Sequence, residues 1–252
     1  MKLLINTLFV VFSMSICFGQ INQVDAKGKK QGPWEKTYPD SKVYMYKGQF
    51  KNDRPVGKFV YFYPSSKVKA VINHDVTTGR SEAYYYHENQ ALMSFGIYRN
   101  LKKDSIWTNF GPSGRLSNKE TYKNDSLDGA KVIYYVPEDL NDKSKVPSAV
   151  MMYKNGALHG EYKEYFMSNT LKMKGMYENG KKVGPWEEFH PNGKRSILYR
   201  YKDGVKHGWA IAYDTNMKRI GEQYYYHGRR LEGRELSDKL SQMEKLGINP
   251  DE

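Results

Sequence analysis

The 252 residues hold one cysteine, Cys17. It lies in the apolar N-terminal stretch, so a chain cut after that stretch has no thiol. That excludes disulfides, cysteine-held metals and a cysteine nucleophile. The usual catalytic signatures are missing too: there is no HExxH, no phosphate loop and no GxSxG. A thick aliphatic core is also excluded, because hydrophobic residues make up only 39% and the mean hydropathy is −0.79. Chains this polar are commonly disordered, but disordered chains are poor in aromatics. Here aromatics reach 14%, with 22 tyrosines. Rings in such number suit a thin sheet whose side chains lie half in and half out of water.

The N-terminus reads as a signal peptide over residues 1–19. Lys2 is followed by an apolar run from Leu3 to Phe12, and Cys17-Phe18-Gly19 places small residues three and one before a cut at Gly19/Gln20. Ile16 stands where a lipid-anchored protein has a small residue before its cysteine. The mature chain is therefore expected to be extracytoplasmic, either secreted or periplasmic. The formal charge is +12, and loss of Lys2 leaves 39 basic against 28 acidic side chains, or +11. These charges are spread through the chain, as on a solvated sheet that resists edge pairing.

Self-comparison finds a repeat. Gln31-Gly32-Pro33-Trp34 matches Val183-Gly184-Pro185-Trp186, and Lys102-Lys103-Asp104-Ser105-Ile106-Trp107 is a third copy with serine in the glycine place. Anchors at Gly32, Gly57, Gly79, Ser105, Gly129, Gly160, Gly184 and Gly208, with Gly233 as a partial ninth, are spaced 25, 22, 26, 24, 31, 24, 24 and 25. The long interval carries an insertion loop of about 137–147. Aromatics stand five after the anchor in seven of eight units and seven before it in all but one. Asn, Asp, His or Gly stands five before it, as turns require. Each unit therefore reads as a hairpin, with Pro39, Pro64, Pro112 and Pro191 ending its first strand.

The expected fold is all-β: an elongated single-layer antiparallel β-meander of about eight tandem β-hairpins over residues 20–236. The C-terminal segment 237–252 is expected to hold a short capping helix at 237–246, with Ser237 as N-cap and Gly247 as stop. Tryptophans or equivalents two after the anchor lie an odd distance from the ring at five. Either both faces carry rings, or a bulge at the glycine turns them to one side.

The pattern Tyr153-Lys154-Asn155-Gly156-Ala157-Leu158-His159-Gly160, repeated from Tyr201 to Gly208, resembles the MORN repeat. Tyr177-Glu178-Asn179-Gly180-Lys181-Lys182-Val183-Gly184-Pro185-Trp186 is similar to its bacterial variant, found in proteins labelled YwqK-family antitoxins. The resemblance covers residues 28–233 and departs at Ser105 and at Arg80-Ser81. It implies an elongated antiparallel sheet in a scaffolding or binding role.

No catalytic, metal or cofactor site is expected. The six histidines fall at repeat or turn positions, and Glu187-Glu188, as strand neighbours, point to opposite faces. The reading is an exported, non-catalytic scaffold that binds a protein or cell-envelope component. The alternatives are an antitoxin-like inhibitor of an exported toxin and, behind it, a carbohydrate-acting enzyme. Anionic lipid and glycan remain as other ligands, while export argues against nucleic acid. The candidate partner-binding row is Trp34, Trp107, Trp186 and Trp209, bordered by Lys103 and Lys182.

Overall fold

The computed structural model describes residues 20–136 and 145–251. Residues 1–19, where a signal peptide is expected, and residues 137–144 of the insertion loop lie outside the described residues. Nineteen strands form one open antiparallel sheet among the described residues, each pairing with its neighbours in sequence, and a single helix follows. The expected meander is what the chain forms. The count exceeds two strands per hairpin because Gln23–Val24 and Arg229–Leu231 add short strands at the two ends. In addition, the eighth unit is split into Val205–Lys206 and Gly208–Tyr213.

Two kinds of turn alternate. The Asn-Gly and Asn-Asp pairs form tight two-residue connections with positive φ at both residues, as at Asn52 and Asp53 or Asn179 and Gly180. This is the geometry whose twist matches antiparallel strands. The next strand starts at once, so the anchors lie inside strands and not between hairpins. In the strand Lys181–Phe189, Gly184 has φ +64 and three residues, Gly184–Trp186, stand opposite the single Gly175 of the strand before. The anchor is thus a bulge that needs left-handed backbone, which glycine adopts freely. Ser105 takes the same conformation at φ +60.

The aromatic seven residues before each anchor lies directly opposite the anchor of the previous unit: Phe50 faces Gly32, Tyr122 faces Ser105, Tyr177 faces Gly160 and Tyr201 faces Gly184. One assignment is corrected by this register. His74 pairs with Ser81, and Ile72 with Ala83, without a bulge. The third anchor is therefore Ser81 and not Gly79. The connection from Asp75 to Gly79 is longer than the usual two-residue turn, which displaced the glycine by two places. With Ser81 the spacing is 24 on both sides of the unit.

Both faces carry rings, and the anchor bulge exists as well. One face, the ring face, seats the core: Phe59, Ile72, Ala83 and Trp107 pack together with Phe50, Tyr61, Tyr85, Tyr98 and Tyr122. Trp186 forms a second centre with Tyr162, Tyr177 and Tyr201, at ring distances of 5.1–5.9 Å. Large rings fit because the next strand is hollow beneath them. A Cβ on Gly96 would lie 2.3 Å from Trp107, and one on Gly175 would lie 2.2 Å from Trp186. The indole thus rests on the bare backbone of its neighbour.

At one lateral edge the hairpin loops are fastened unit to unit. Tyr38 donates to the carbonyl of Phe62 at 2.7 Å, Tyr63 to Tyr86 at 2.7 Å and Tyr135 to Tyr165 at 2.7 Å. The rings of His87 and His190 make the same bridge to Phe110 and Tyr213. Gly111 and Phe166, in the same column, have no side-chain donor.

The helix runs Gly233–Lys245, with Glu232 at its N-cap. It begins earlier than 237, and Ser237 lies inside it, its Oγ donating to the Arg234 carbonyl at 3.2 Å. Gly233 therefore opens the helix and is not a ninth anchor. Gly247 (φ +64) follows the helix end, as expected for a C-terminal stop. Leu236, Leu240 and Met243 pack on Tyr224, Leu231, Trp209 and Tyr226, covering the last strands.

Candidate functional site

The four tryptophans do not form one row. Trp107 and Trp186 are 1% and 2% exposed and sit in the ring-face core. Their indole N–H groups donate to the carbonyls of Ile97 (3.1 Å) and Met176 (3.2 Å). Trp34 occupies the equivalent place in the first unit and is half-buried, its N–H reaching the Gln23 carbonyl at 3.3 Å. Trp209 is displaced by one residue relative to its anchor. It pairs with Tyr224 (ring distance 5.2 Å), and strand alternation puts both on the opposite face, under the helix.

The two lysines are where the sequence put them, but as lids. Lys103 Nζ lies 4.5 Å from the Trp107 ring, and Lys182 Nζ lies 3.9 Å from the Trp186 ring. Lys30 over Trp34, at 4.7 Å, makes a third copy. The unit thus contains a cation–π cap, a lysine two before the anchor closing over a ring two after it. Burial holds the Lys182 ammonium below its ordinary pKa.

Groups with chemical potential are engaged. His74 Nδ1 and Ser81 Oγ are 2.8 Å apart, a nucleophile–base contact by distance. Ser81 is only 4% exposed, however, and His74 Nε2 has no hydrogen-bond partner to orient it. The neighbouring Asp75 carboxylate is spent on Thr77 and Thr78. Burial keeps His74 below its ordinary pKa. Glu187 is held by Arg195 at 2.6 Å and Lys174 at 3.2 Å. Burial pushes the phenols of Tyr122 and Tyr199 up to about 12, so they act as neutral donors. Among the described residues, no three His, Cys, Asp or Glu side chains converge on a metal position, and no helix is long and apolar enough to cross a membrane.

What sequence reasoning missed lies on the opposite face. Tyr84, Phe95 and Phe110 stack across three strands, 6.2 Å between successive ring centres. Phe95 is 38% exposed, and Ile106 beside it is 56% exposed. Two ion pairs border the stack, Arg80–Glu82 at 2.7 Å and Arg99–Asp104 at 3.8 Å. The signal was faint: in the place that Phe95 has in its unit, Lys47, Lys119 and Lys174 stand in three others and Val71, Val150 and Leu198 in three more.

The chain matches no protein-family model and no curated protein. The geometry therefore stands alone: one face closed by its own rings and lysine lids, the other open and aromatic at its centre.

Proposed function

We propose that this chain is an exported, non-catalytic repeat scaffold of the MORN type, and that it binds a protein partner of the cell envelope through the face carrying Tyr84, Phe95, Ile106 and Phe110. The observation that carries this reading is the exposed stack itself. Phe95 is 38% and Ile106 56% exposed, and with the stacked rings of Tyr84 and Phe110 they leave apolar area open on this face. Aromatic area rimmed by arginine is the usual make-up of a recognition surface. The lysines of the ring face are engaged with rings, which shifts the expected surface away from the tryptophans.

The test is capture of partners from envelope extract on the mature protein, with Phe95→Ser/Ile106→Ser as the comparison. The double variant should lose a partner that the parent retains while its melting curve stays close to the parent's. Undiminished capture of the same partner would refute the assignment of this face.

A further inference from the structure

The C-terminal end holds a second feature, unrelated to the Phe95 surface. Where the helix passes the last hairpins, a cavity of about 330 Å³ remains. Its polar wall is Lys202, His207, His227 and Lys239, and Met243 lies in its floor. Among the described residues no carboxylate lines it. Asp251, the acid that acts on His207, is engaged by Arg200 at 3.3 Å and by the backbone N–H of Trp209 at 3.0 Å.

This grouping goes beyond what the repeat demands. His207 Nδ1 accepts the backbone N–H of His227 at 3.4 Å, as His159 Nδ1 accepts that of Asn179 two units earlier. That contact recurs where a histidine precedes the anchor, and it places the neutral His207 proton on Nε2. The difference is the turn residue: His227 stands where Asn52, Asn100, Asn124, Asn155 and Asn179 stand elsewhere, and it brings a second imidazole to 5.0 Å from the first. Lys239 reaches the same place from the helix, 4.0 Å above the Tyr226 ring. His207 is 4% exposed, so these like-signed groups gather around a side chain removed from water. Burial lowers its pKa most, and the charges of His227, Lys202 and Lys239 lower it further against the pull of Asp251. An anion in the cavity reverses that repulsion.

We propose that this cavity binds a tetrahedral oxyanion of the phosphate or sulfate class, free or as a monoester, with His207 Nε2, His227 and Lys239 as donors and Lys202 alongside. Hydrogen bonds from cationic donors to such an anion are among the stronger ones available to a protein.

The experiment uses the full mature chain in four arms at constant ionic strength: inorganic phosphate, sulfate, glycerol phosphate, and vesicles bearing phosphomonoester headgroups. Calorimetry should show one-to-one uptake of a soluble anion, with a rise in the melting temperature over chloride. His227→Asn keeps the turn that five other units form with asparagine, and Lys239→Gln removes the charge from a half-buried helix position while keeping most of its side chain. Each should weaken binding at least tenfold, whereas His159→Asn, at the equivalent place without a cavity, should not. Tighter uptake of glycerol phosphate than of inorganic phosphate would identify a monoester site, and equal uptake a free-anion site. The proposal is overturned if no soluble anion binds at millimolar concentration, if vesicles alone bind, or if both variants bind like the parent.

Discussion

The two faces of this sheet handle the same kind of side chain in opposite ways. On the ring face, Trp107 and Trp186 are sealed to 1% and 2% although only one layer of strands exists to bury them. On the other face, Phe95 keeps 38% of its surface in water within a stack of three rings. The difference comes from the residue across the strand pair. Trp107 and Trp186 rest over Gly96 and Gly175, and Phe59 rests over Gly48. Where the underlying residue is larger, the indole gives way to a smaller side chain: Tyr162 stands opposite Met151 and Ala83 opposite Ile72. Glu120 meets Lys131 in an ion pair at 2.9 Å. Volume is exchanged between strands, and a single-layer sheet gains a close-packed interior one ring deep. On the opposite face the helix, and not a hollow, buries Tyr224 at the C-terminal end, while Phe95 has neither cover and stays exposed.

The comparison can be broken most directly by removing one ring from each face. Trp186→Ala should destabilise the chain by about 3–5 kcal/mol, the range for emptying a buried aromatic site. Phe95→Ala should cost about 1 kcal/mol, since it loses mainly a half-exposed ring pair. Chemical denaturation of the two variants side by side checks this, and equal losses would contradict the division of the faces. A smaller effect comes from filling a hollow: Gly175→Ala places a methyl against Trp186 and should cost about 1–3 kcal/mol by overpacking. Gly180→Ala, at a turn where no atom lies near the added carbon, is strained by its φ of +82 alone and serves as the control for backbone effects.

The smallest effect concerns pH. Tyr122 and Tyr199 have phenol pKa values raised from 10.0 to about 12 by burial. Between these values the folded state keeps protons that the unfolded state releases. The stability they contribute is therefore complete below pH 10 and declines as pH rises from 10 toward 12. Unfolding midpoints across that interval should fall more steeply for the parent than for Tyr122→Phe/Tyr199→Phe.

The fold was legible because seven of the eight anchors take positive φ, and those seven read as glycine or, at Ser105, as an obvious substitute. The eighth was misread for the same reason. Gly79 is a glycine, but Ser81 holds the register, and only the 24-residue period reveals this. The candidate row failed on information that sits on other strands. Whether an indole is buried depends on the residue nine before its anchor, and Gly96 and Gly175 were there to be read. Trp209 lies one residue after its anchor where the others lie two after, which by alternation sends it to the other face. The Phe95 stack left a fainter trace, a ring in a column that otherwise holds lysine, valine or leucine. The helix boundary was hidden because Gly233 continues the glycine spacing while belonging to the next element.

The edge fastening gives the array a mechanical grain. Each Tyr or His bridge ties a loop to the loop one hairpin further on, so tension applied at the chain ends would have to undo these stitches one after another. Gly111 and Phe166 are dropped stitches. Under load the array would be expected to tear first into blocks at those two seams, and only then peel hairpin by hairpin, each block yielding as a separate event.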